Sequence, residues 1–369
     1  MSPVWLRRDP EAATAVQLSA LTRGPGTAVI GPEHMRRLLA PAPGEEQHLL
    51  TAWEGDLLLG HAHLTTSRPA VEVEGAPREP EPAAGLDGMA WLVSAAVDPD
   101  HRGRGIGRQL LAAALGTARD AGARRLEIAA RPRSYVVPGI DLAADPRTGR
   151  LLARAGFSRG ADALAMHRTL HDLPALGGST RGRADVTGHD AARIDRCTAA
   201  DLDELITTTR RDLAPAWGEV LRAHADRGGP LHRILLARAG SGPIVGFAGH
   251  GLVGVDPAFP DPTRFGPFGV AASARGAGIG ARLLDATLQA MAGEGLAHVW
   301  FQWTGRGTPA ERLYRSRGFT ELRTFARYTT DLEDERPPPA SEPGDPTCRA
   351  GPPPDGAARP GRQEEGPPR

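Results

Sequence analysis

Two glycine-rich stretches decide the fold of this chain: Arg102-Gly103-Arg104-Gly105-Ile106-Gly107 and Arg275-Gly276-Ala277-Gly278-Ile279-Gly280. Each stretch follows an apolar, strand-like segment and precedes a segment with the apolar spacing of an amphipathic helix. Glycine lacks the Cβ atom that would hold a phosphate away from the backbone, and the free amide groups at a helix N-terminus favour negative charge. The sequence therefore predicts a phosphate or pyrophosphate site at both turns.

The same order of elements surrounds the two turns. In each half of the chain two strands precede the turn, and a helix, a third strand and a short helix ending in Gly-Phe follow it. The first copy comprises segments 57–64, 89–97 and 125–130 with Gly156 and Phe157, and the second comprises 244–250, 265–271 and 297–303 with Gly318 and Phe319. This repeat predicts two α/β domains in tandem, each a mixed sheet covered by helices.

The length and the composition shifts predict the domain boundaries. A chain of 369 residues is too long for one ordinary core and suits two domains. A polar, glycine-rich stretch near the middle is typical of a linker, so we assign 1–172 to the first domain, 173–190 to the linker and 191–332 to the second. Residues 333–369 are rich in proline and glycine and almost free of large apolar side chains. We expect this tail to be disordered.

Composition excludes several classes of partner. Basic and acidic residues balance at 44 each and aromatics make up 5%, so we expect no nucleic-acid-binding face. The chain has neither a signal-peptide pattern nor a run of apolar residues long enough to span a bilayer, so a soluble, cytoplasmic protein is expected. The two cysteines, Cys197 and Cys348, cannot form a disulfide framework or a four-cysteine zinc site.

The residues around the glycines exclude two common nucleotide-binding loops. A Walker loop needs a Gly-Lys-Ser/Thr sequence, and this chain contains no lysine. A dinucleotide-binding loop needs an acidic residue at the end of the next strand. The corresponding strands here end at residues 129–131, Ala-Ala-Arg, and 302–304, Gln-Trp-Thr. Another phosphate-bearing ligand is therefore expected.

The R-x-x-G-x-G pattern of both turns, with the Gly-Phe signals downstream, resembles the GNAT superfamily of acyl-coenzyme A-dependent acyltransferases. The resemblance covers nearly all of residues 1–172 and 190–332. It implies that the pyrophosphate of acetyl-coenzyme A lies on the turn amides and that the pantetheine arm pairs with the preceding strand. The strand residues implied are Ala95, Ala96 and Val97 in the first half and Phe268, Gly269 and Val270 in the second. The tandem organisation is similar to that of the mycothiol synthases.

Acyl transfer from a thioester requires a neutral amine in position for attack, an amide to hold the oxyanion and an acid for the leaving thiolate. Members of the superfamily often supply the acid from a Leu-Tyr-x-x-x-Gly-Phe segment. The second half has this segment complete at 313–319, so the resemblance implies Tyr314 as the general acid, with packing of the helix as the alternative role. The first half has Leu152 at that position. Tyr135, in a Tyr-x-x-Pro-Gly-x-Asp loop, is the alternative acid if the first domain is active.

Histidines supply the remaining candidates. His250, on a predicted strand near the second cleft, is the candidate general base. His61 and His63 share one face of a strand, as a metal pair would, but no third ligand is evident and we predict no metal. The asparagine that often precedes the last helix in this superfamily is replaced by Asp145 and Gly307.

The sequence thus predicts an N-acetyltransferase that moves an acetyl group from acetyl-coenzyme A to a primary amine of a small molecule. Catalysis is expected in the second domain, and the first is expected to be structural, to bind cofactor idly or to shape the cleft. Two alternatives are a non-catalytic acyl-coenzyme A-binding sensor or scaffold, and an N-acetyltransferase of proteins or peptides. The chain is expected to be a monomer or a homodimer, because two fused domains can form internally the interface that single domains of this kind make as dimers.

Overall fold

The computed structural model describes residues 4–8, 13–22, 30–40, 44–67, 88–131, 136–171, 173, 192–252 and 263–332. The predicted tail 333–369, nearly all of the predicted linker and Tyr135 lie outside the described residues. Within the described ranges, no helix is long and apolar enough to cross a membrane.

The first half contains seven strands and four α-helices in the described residues. In chain order these are β1 Trp5–Arg8, α1 Ala15–Leu21, α2 Pro32–Leu39, β2 Glu45–Glu54, β3 Leu57–Ser67, β4 Met89–Val97, α3 Ile106–Asp120, β5 Arg125–Ile128, α4 Pro146–Arg154, β6 Ser158–Arg159 and β7 Ala163–Thr169.

The second half repeats the pattern. Its elements are β8 Arg193–Arg196, α5 Leu202–Asp212, α6 Pro215–Asp226, β9 Ile234–Arg238, β10 Ile244–His250, β11 Phe265–Val270, α7 Ile279–Gly293, β12 His298–Gly305, α8 Pro309–Ser316, β13 Thr320–Phe325 and β14 Tyr328–Asp331. Each glycine-rich turn lies between a strand and a long helix, β4 and α3 in the first half and β11 and α7 in the second. The predicted mixed α/β architecture and its internal repeat are confirmed.

The two halves exchange their last strands. The strand order is β1-β2-β3-β4-β5-β14-β6 in one sheet, β11-β10-β9-β8 in a second and β12-β7-β13 in a third. Strand β14, from the end of the second half, pairs antiparallel with β5 and β6 of the first half. Strand β7, from the end of the first half, pairs antiparallel with β12 and β13 of the second. The repeat along the sequence therefore differs from the grouping of strands in space.

Helices cover both faces of the sheet in each half. In the first half, α3 packs on one face through residues such as Leu110 and Ala114, while α1 and α2 cover the other through Leu18 and Met35. In the second half, α7 takes the place of α3, and α5 and α6 take the place of α1 and α2. Successive side chains of a strand alternate between faces. Each strand residue next to a turn therefore faces either the side covered by α3 or α7, or the side covered by the other two helices.

The strands beside each turn separate after a short region of pairing. Strands β4 and β5 are parallel only from Met89 paired with Arg125 to Leu92 paired with Ile128. The chain then turns away at Ala129, whose φ is +69°. In the second half, a parallel bridge joins Arg264 to Trp300, and the amide of Trp300 donates a backbone hydrogen bond to Thr263 beside it. Each half therefore has an open wedge between two parallel strands.

The strand exchange predicts that the two halves remain together after the connection between them is cut. A protease site inserted at residues 177–183 would separate the chain into two pieces, each lacking a strand that the other supplies. Because the exchanged strands bury Met166 in the second half and Tyr328 in the first, separation would expose unpaired sheet edges and apolar side chains. We expect the cleaved pieces to elute together in size-exclusion chromatography and to unfold in one transition. Elution as two separate folded pieces at micromolar concentration would contradict the exchange.

Candidate functional site

Both glycine-rich turns have the backbone conformation of an anion site. The N-cap residues of α3 and α7 are Gly105 and Gly278, with φ of +84° and +72°, and neither helix start has a side-chain cap. The first amide groups of these helices therefore lack an intrahelical partner. A Cβ atom added at Gly103, Gly276 or Gly278 would meet nothing within 4 Å, so the surface above these glycines is open. Positive φ explains why glycine is favoured here, and the open space leaves room for a phosphate.

The arginine that begins each turn anchors it to the preceding strand. Arg102 donates from Nε to the carbonyl oxygen of Val97 at 3.1 Å, and Arg275 donates in the same way to Val270 at 3.0 Å. The sequence allows both arginines either a charge-assisted bond to the phosphate or a solvated surface position. The structure adds a positioning role, because the hydrogen bond fixes the turn relative to the end of the strand.

The two turns differ in charge at their third residue. Arg104 in the first turn lies 3.0 Å from the carboxylate of Glu54, and this hydrogen bond holds the pKa of Glu54 below its usual range. The second turn has Ala277 at the equivalent position. The first turn therefore carries an ion pair where the second has none.

The strand residues implied for the pantetheine arm line the wedges. Ala95 is exposed although it lies within a strand, because β5 has already diverged at that point. In the second half Phe268, Gly269 and Val270 are half-buried. Helix α6 approaches this strand so closely that a Cβ at Gly269 would lie 2.9 Å from the Trp217 ring. These residues therefore present a partly open strand edge to the wedge.

A bulge interrupts the strand at the same place in both wedges. In the first half, His63 pairs with Ser94 and Leu64 with Leu92, so Val93 is the extra residue. In the second half, the register shifts between Phe268 and Phe265. Bulges bend a strand and re-aim its side chains. The bulge therefore decides which side chains of each strand face the wedge.

Tyr314 lies on α8 against the strand that borders the second wedge. Its ring centroid is 4.4 Å from that of Phe301 and 6.0 Å from that of Phe268. Burial raises the pKa of the Tyr314 hydroxyl well above its usual value, so the side chain keeps its proton throughout the neutral range. The arrangement combines an apolar packing role with a protonated hydroxyl beside one of the residues implied for the pantetheine arm.

The short helices begin with caps that replace the missing asparagines. Asp145 is the N-cap of α4 and accepts hydrogen bonds from the backbone amides of Arg147 and Thr148. At the start of α8, Thr308 is the N-cap, and the amide of Gly307 donates to the carboxylate of Glu311. Both departures from the superfamily pattern are thus explained locally, because other side chains satisfy the first amides of the helix.

His250 lies at the opposite end of α7 from the glycine-rich turn. Its Nε2 atom is 3.3 Å from the carboxylate of Glu294, the residue that follows α7. The turn precedes α7, and a helix of this length separates its two ends by about 22 Å. Strand register pairs His250 with Phe265, whose ring centroid is 6.1 Å from that of Tyr314, and the role of His250 as the general base stays a prediction.

His61 and His63 are fully buried on the face of β3 that α1 and α2 cover. His61 Nε2 lies 3.2 Å from the Ser94 hydroxyl, and His63 Nε2 donates to Gln47 Oε1 at 2.6 Å. Desolvation lowers the pKa of His61 to about 4 and that of His63 to about 3. Period-two spacing identified the shared face of the two histidines, but Ser94 and Gln47 were missed because strand register is not readable from one sequence. Within the described ranges, no group of three or more metal-ligating side chains forms a site.

The corresponding face of the second half is apolar. Strand register matches His61 with Phe247, since these residues pair with Ala96 and Gly269 at equivalent positions. The Phe247 ring is buried and packs edge-on against Trp217 with centroids 6.2 Å apart. The two wedges therefore have the same backbone architecture and different side-chain chemistry.

Comparison with known families matches both halves separately. The Acetyltransferase (GNAT) family matches residues 17–135, and the Acetyltransferase (GNAT) domain matches residues 230–321. Each match contains a glycine-rich turn and the strand before it.

Two curated relatives span most of the chain. The mycothiol acetyltransferase of Stackebrandtia nassauensis is 32% identical over 260 residues, which cover 67% of this chain and 74% of the relative. The mycothiol acetyltransferase of Kineococcus radiotolerans is 29% identical over 347 residues, which cover 89% of this chain and 95% of the relative.

A solved structure shares the whole arrangement. A tandem GNAT protein from the clavulanic acid biosynthesis pathway superposes with a TM-score of 0.58 over 90% of this chain and 99% of its own, at 18% identity. At that identity the likeness concerns the fold alone. Together with the two family matches and the relatives, it shows that this chain belongs to the GNAT family of N-acetyltransferases and carries two GNAT domains in tandem.

Proposed function

We propose that this N-acetyltransferase transfers the acetyl group of acetyl-coenzyme A to a primary amine of a small molecule in the second GNAT domain. The observation that supports this most is the position of Tyr314, whose ring lies beside that of Phe268 and whose hydroxyl keeps its proton. The first domain has Leu152 at the equivalent helix position. GNAT acetyltransferases use acetyl-coenzyme A, and the open amides at Gly278 suit its pyrophosphate.

In the proposed reaction the neutral amine attacks the thioester carbonyl directly. A carbon–nitrogen bond forms, the carbon–sulfur bond breaks, and the thiolate of coenzyme A takes the proton of Tyr314. The wedge beside β11 holds the reactants in position, which converts a bimolecular step into an effectively unimolecular one. The proton lost by the amine passes to solvent or to the tyrosinate, which restores Tyr314 for the next turnover.

The acceptor proposed first is the amine whose acetylation gives mycothiol, because the two relatives described above are named mycothiol acetyltransferases. The named activity is that of the two relatives. The assay of this chain therefore begins with that acceptor and continues with other small amines. A cytoplasmic location and a monomeric or homodimeric state stay predictions of the sequence.

Substitution of Tyr314 by phenylalanine tests the general acid. We expect kcat to fall about 100-fold or more, within the range contributed by a positioned acid, while KM for acetyl-coenzyme A changes little. The phenyl ring keeps the contacts with Phe301 and Phe268, so the variant should fold. Steady-state kinetics with the best acceptor amine measures the effect.

The matched control is Tyr328→Phe, which removes the same hydroxyl from a tyrosine buried in the core of the first domain. This variant should keep its kcat within a few-fold of the native value. A large loss of kcat in Tyr135→Phe, with Tyr314→Phe unaffected, would contradict the proposal and move catalysis to the first domain.

The pH dependence of turnover gives an independent test of Tyr314. Burial favours the neutral phenol and raises its pKa above the ordinary value of about 10. The acid form of Tyr314 should therefore persist, and kcat should show no alkaline loss from this residue below about pH 10. A fall in kcat with an apparent pKa between 7 and 9 that disappears in Tyr314→Phe would contradict this assignment.

Substitutions at the N-cap glycines locate the site that binds the pyrophosphate. Gly278→Glu places a carboxylate in the open space above the turn, so repulsion should weaken acetyl-coenzyme A binding at least about tenfold in calorimetric titration. Gly278→Ala is the matched control, because it carries the same strain at positive φ without the charge. Gly105→Glu applies the same change to the first turn.

Loss of binding in Gly278→Glu, with turnover retained in Gly105→Glu, is the expected result. Equal binding by the Gly278→Ala and Gly278→Glu proteins would contradict a pyrophosphate site at the second turn. Absence of acetyl-coenzyme A binding by the native protein would contradict the proposed reaction as a whole.

A further inference from the structure

A cluster of buried polar side chains lies across three strands of the first domain, away from Tyr314. His61, His63 and Thr65 follow one another at every second position of β3, so they share a face. In the antiparallel register Thr65 pairs with Gln47 on β2 and Trp91 on β4, and His63 pairs with Ser94. We call these six residues the polar face: Gln47, His61, His63, Thr65, Trp91 and Ser94.

Several polar atoms of this face are buried without a hydrogen-bond partner in the part of the chain that the structure describes. They are Gln47 Nε2, His61 Nδ1, His63 Nδ1, Thr65 Oγ1 and Trp91 Nε1. Thr65 and both histidines have 0% exposure, and Trp91 has 1%. Buried polar groups in native proteins are nearly always paired, so a concentration of unpaired ones on one face requires an explanation.

The unpaired atoms include both donors and acceptors. His63 is neutral, because burial lowers its pKa to about 3, and its Nε2 donates to Gln47. Its Nδ1 atom therefore offers a lone pair. The indole N–H of Trp91 and the amide N–H of Gln47 can only donate, and the Thr65 hydroxyl can do both.

Charged groups near the face are already paired. The guanidinium of Arg131 hydrogen-bonds to the carboxylate of Glu45, and both side chains are nearly buried. His48 lies on β2 and hydrogen-bonds to Thr66 at 3.0 Å, and its neighbour Leu50 packs on the α3 side of the sheet. Burial keeps His61 neutral as well. The face therefore presents neutral hydrogen-bonding groups without a net charge.

The polar face borders the first wedge. Ser94 adjoins the bulge at Val93, and β5 has diverged from β4 by that point. In the second domain, Phe247 stands at the position of His61, packed on Trp217, so the feature is not part of the shared architecture. The polarity of this face is therefore specific to the first domain.

We propose that the first GNAT domain contains a second small-molecule site on the polar face, which binds an uncharged ligand that carries hydroxyl groups. A hydroxyl both donates and accepts, so it can pair with His63 Nδ1 and with the Trp91 indole N–H in turn. An anion or a fixed cation would lack a charged counterpart here, because Arg131 and Glu45 neutralise each other. The proposal does not rest on catalysis by Tyr314.

The test is a nuclear magnetic resonance titration of the full chain with isotopically labelled histidine. The probe is glycerol, an uncharged compound with three hydroxyl groups, and the comparison compound is dimethoxyethane, which is also uncharged and has none. We expect a saturable shift of the Nδ1 signals of His61 and His63 with glycerol and a response to dimethoxyethane at least about tenfold weaker. The signal of His48 should stay unchanged with both compounds.

His61→Gln and His63→Gln assign the two signals, and His48→Gln is the matched control on the opposite face of the same sheet. If neither substituted protein folds, the two signals are still recognised in the native protein, because these histidines stay neutral near pH 5 where exposed histidines are protonated. Absence of a saturable shift at both histidines would overturn the proposal and leave water as the occupant of the face. Equal responses to glycerol and dimethoxyethane would overturn the hydroxyl-bearing ligand class.

Discussion

The backbone pairing of the exchanged strands is the constraint on which both sites depend. Strand β5 has β4 on one side and β14 on the other, and it leaves β4 after Leu92. Strand β12 is held in the same way by β7. In each half, the strand that diverges to open the wedge, β5 or β12, is therefore paired with a strand from the other half. Without that pairing, β5 and β12 would have an unpaired second edge, and the width of the wedge would be poorly determined.

The sequence predicted the repeated order of elements because each element depends on local pattern. The turns at Gly105 and Gly278 were recognisable from glycines that only positive φ explains, and the helices from their apolar spacing. The exchange of β7 and β14 was not predictable. The sequence of each strand is the same whichever sheet it joins, and partner choice is decided by packing far along the chain.

Candidate residues were predictable only where the spacing of a motif fixed their position. Tyr314 was identified through its segment, and the structure leaves it next to Phe268. His250 was assigned to the cleft from its strand alone, and that assignment stays a prediction. Irregular register between Ile244 and Gly246, and again beyond Ala248, means that counting along β10 does not show which face a residue occupies. The whole second part of that strand is buried, so alternation of polar and apolar residues gave no help either.

The two domains share the anchor of the glycine-rich turn and differ in the side chains on one face of the sheet. Arg102 and Arg275 anchor their turns to the preceding strand through the same hydrogen bond. The residues that differ most, His61 and its counterpart Phe247, lie on the opposite face. Because the side chains of a strand alternate between faces, the residues on one face can change while the turn and its anchor stay intact. Leu152 in place of a tyrosine removes one candidate acid from the first domain and leaves its turn and its anchor unchanged.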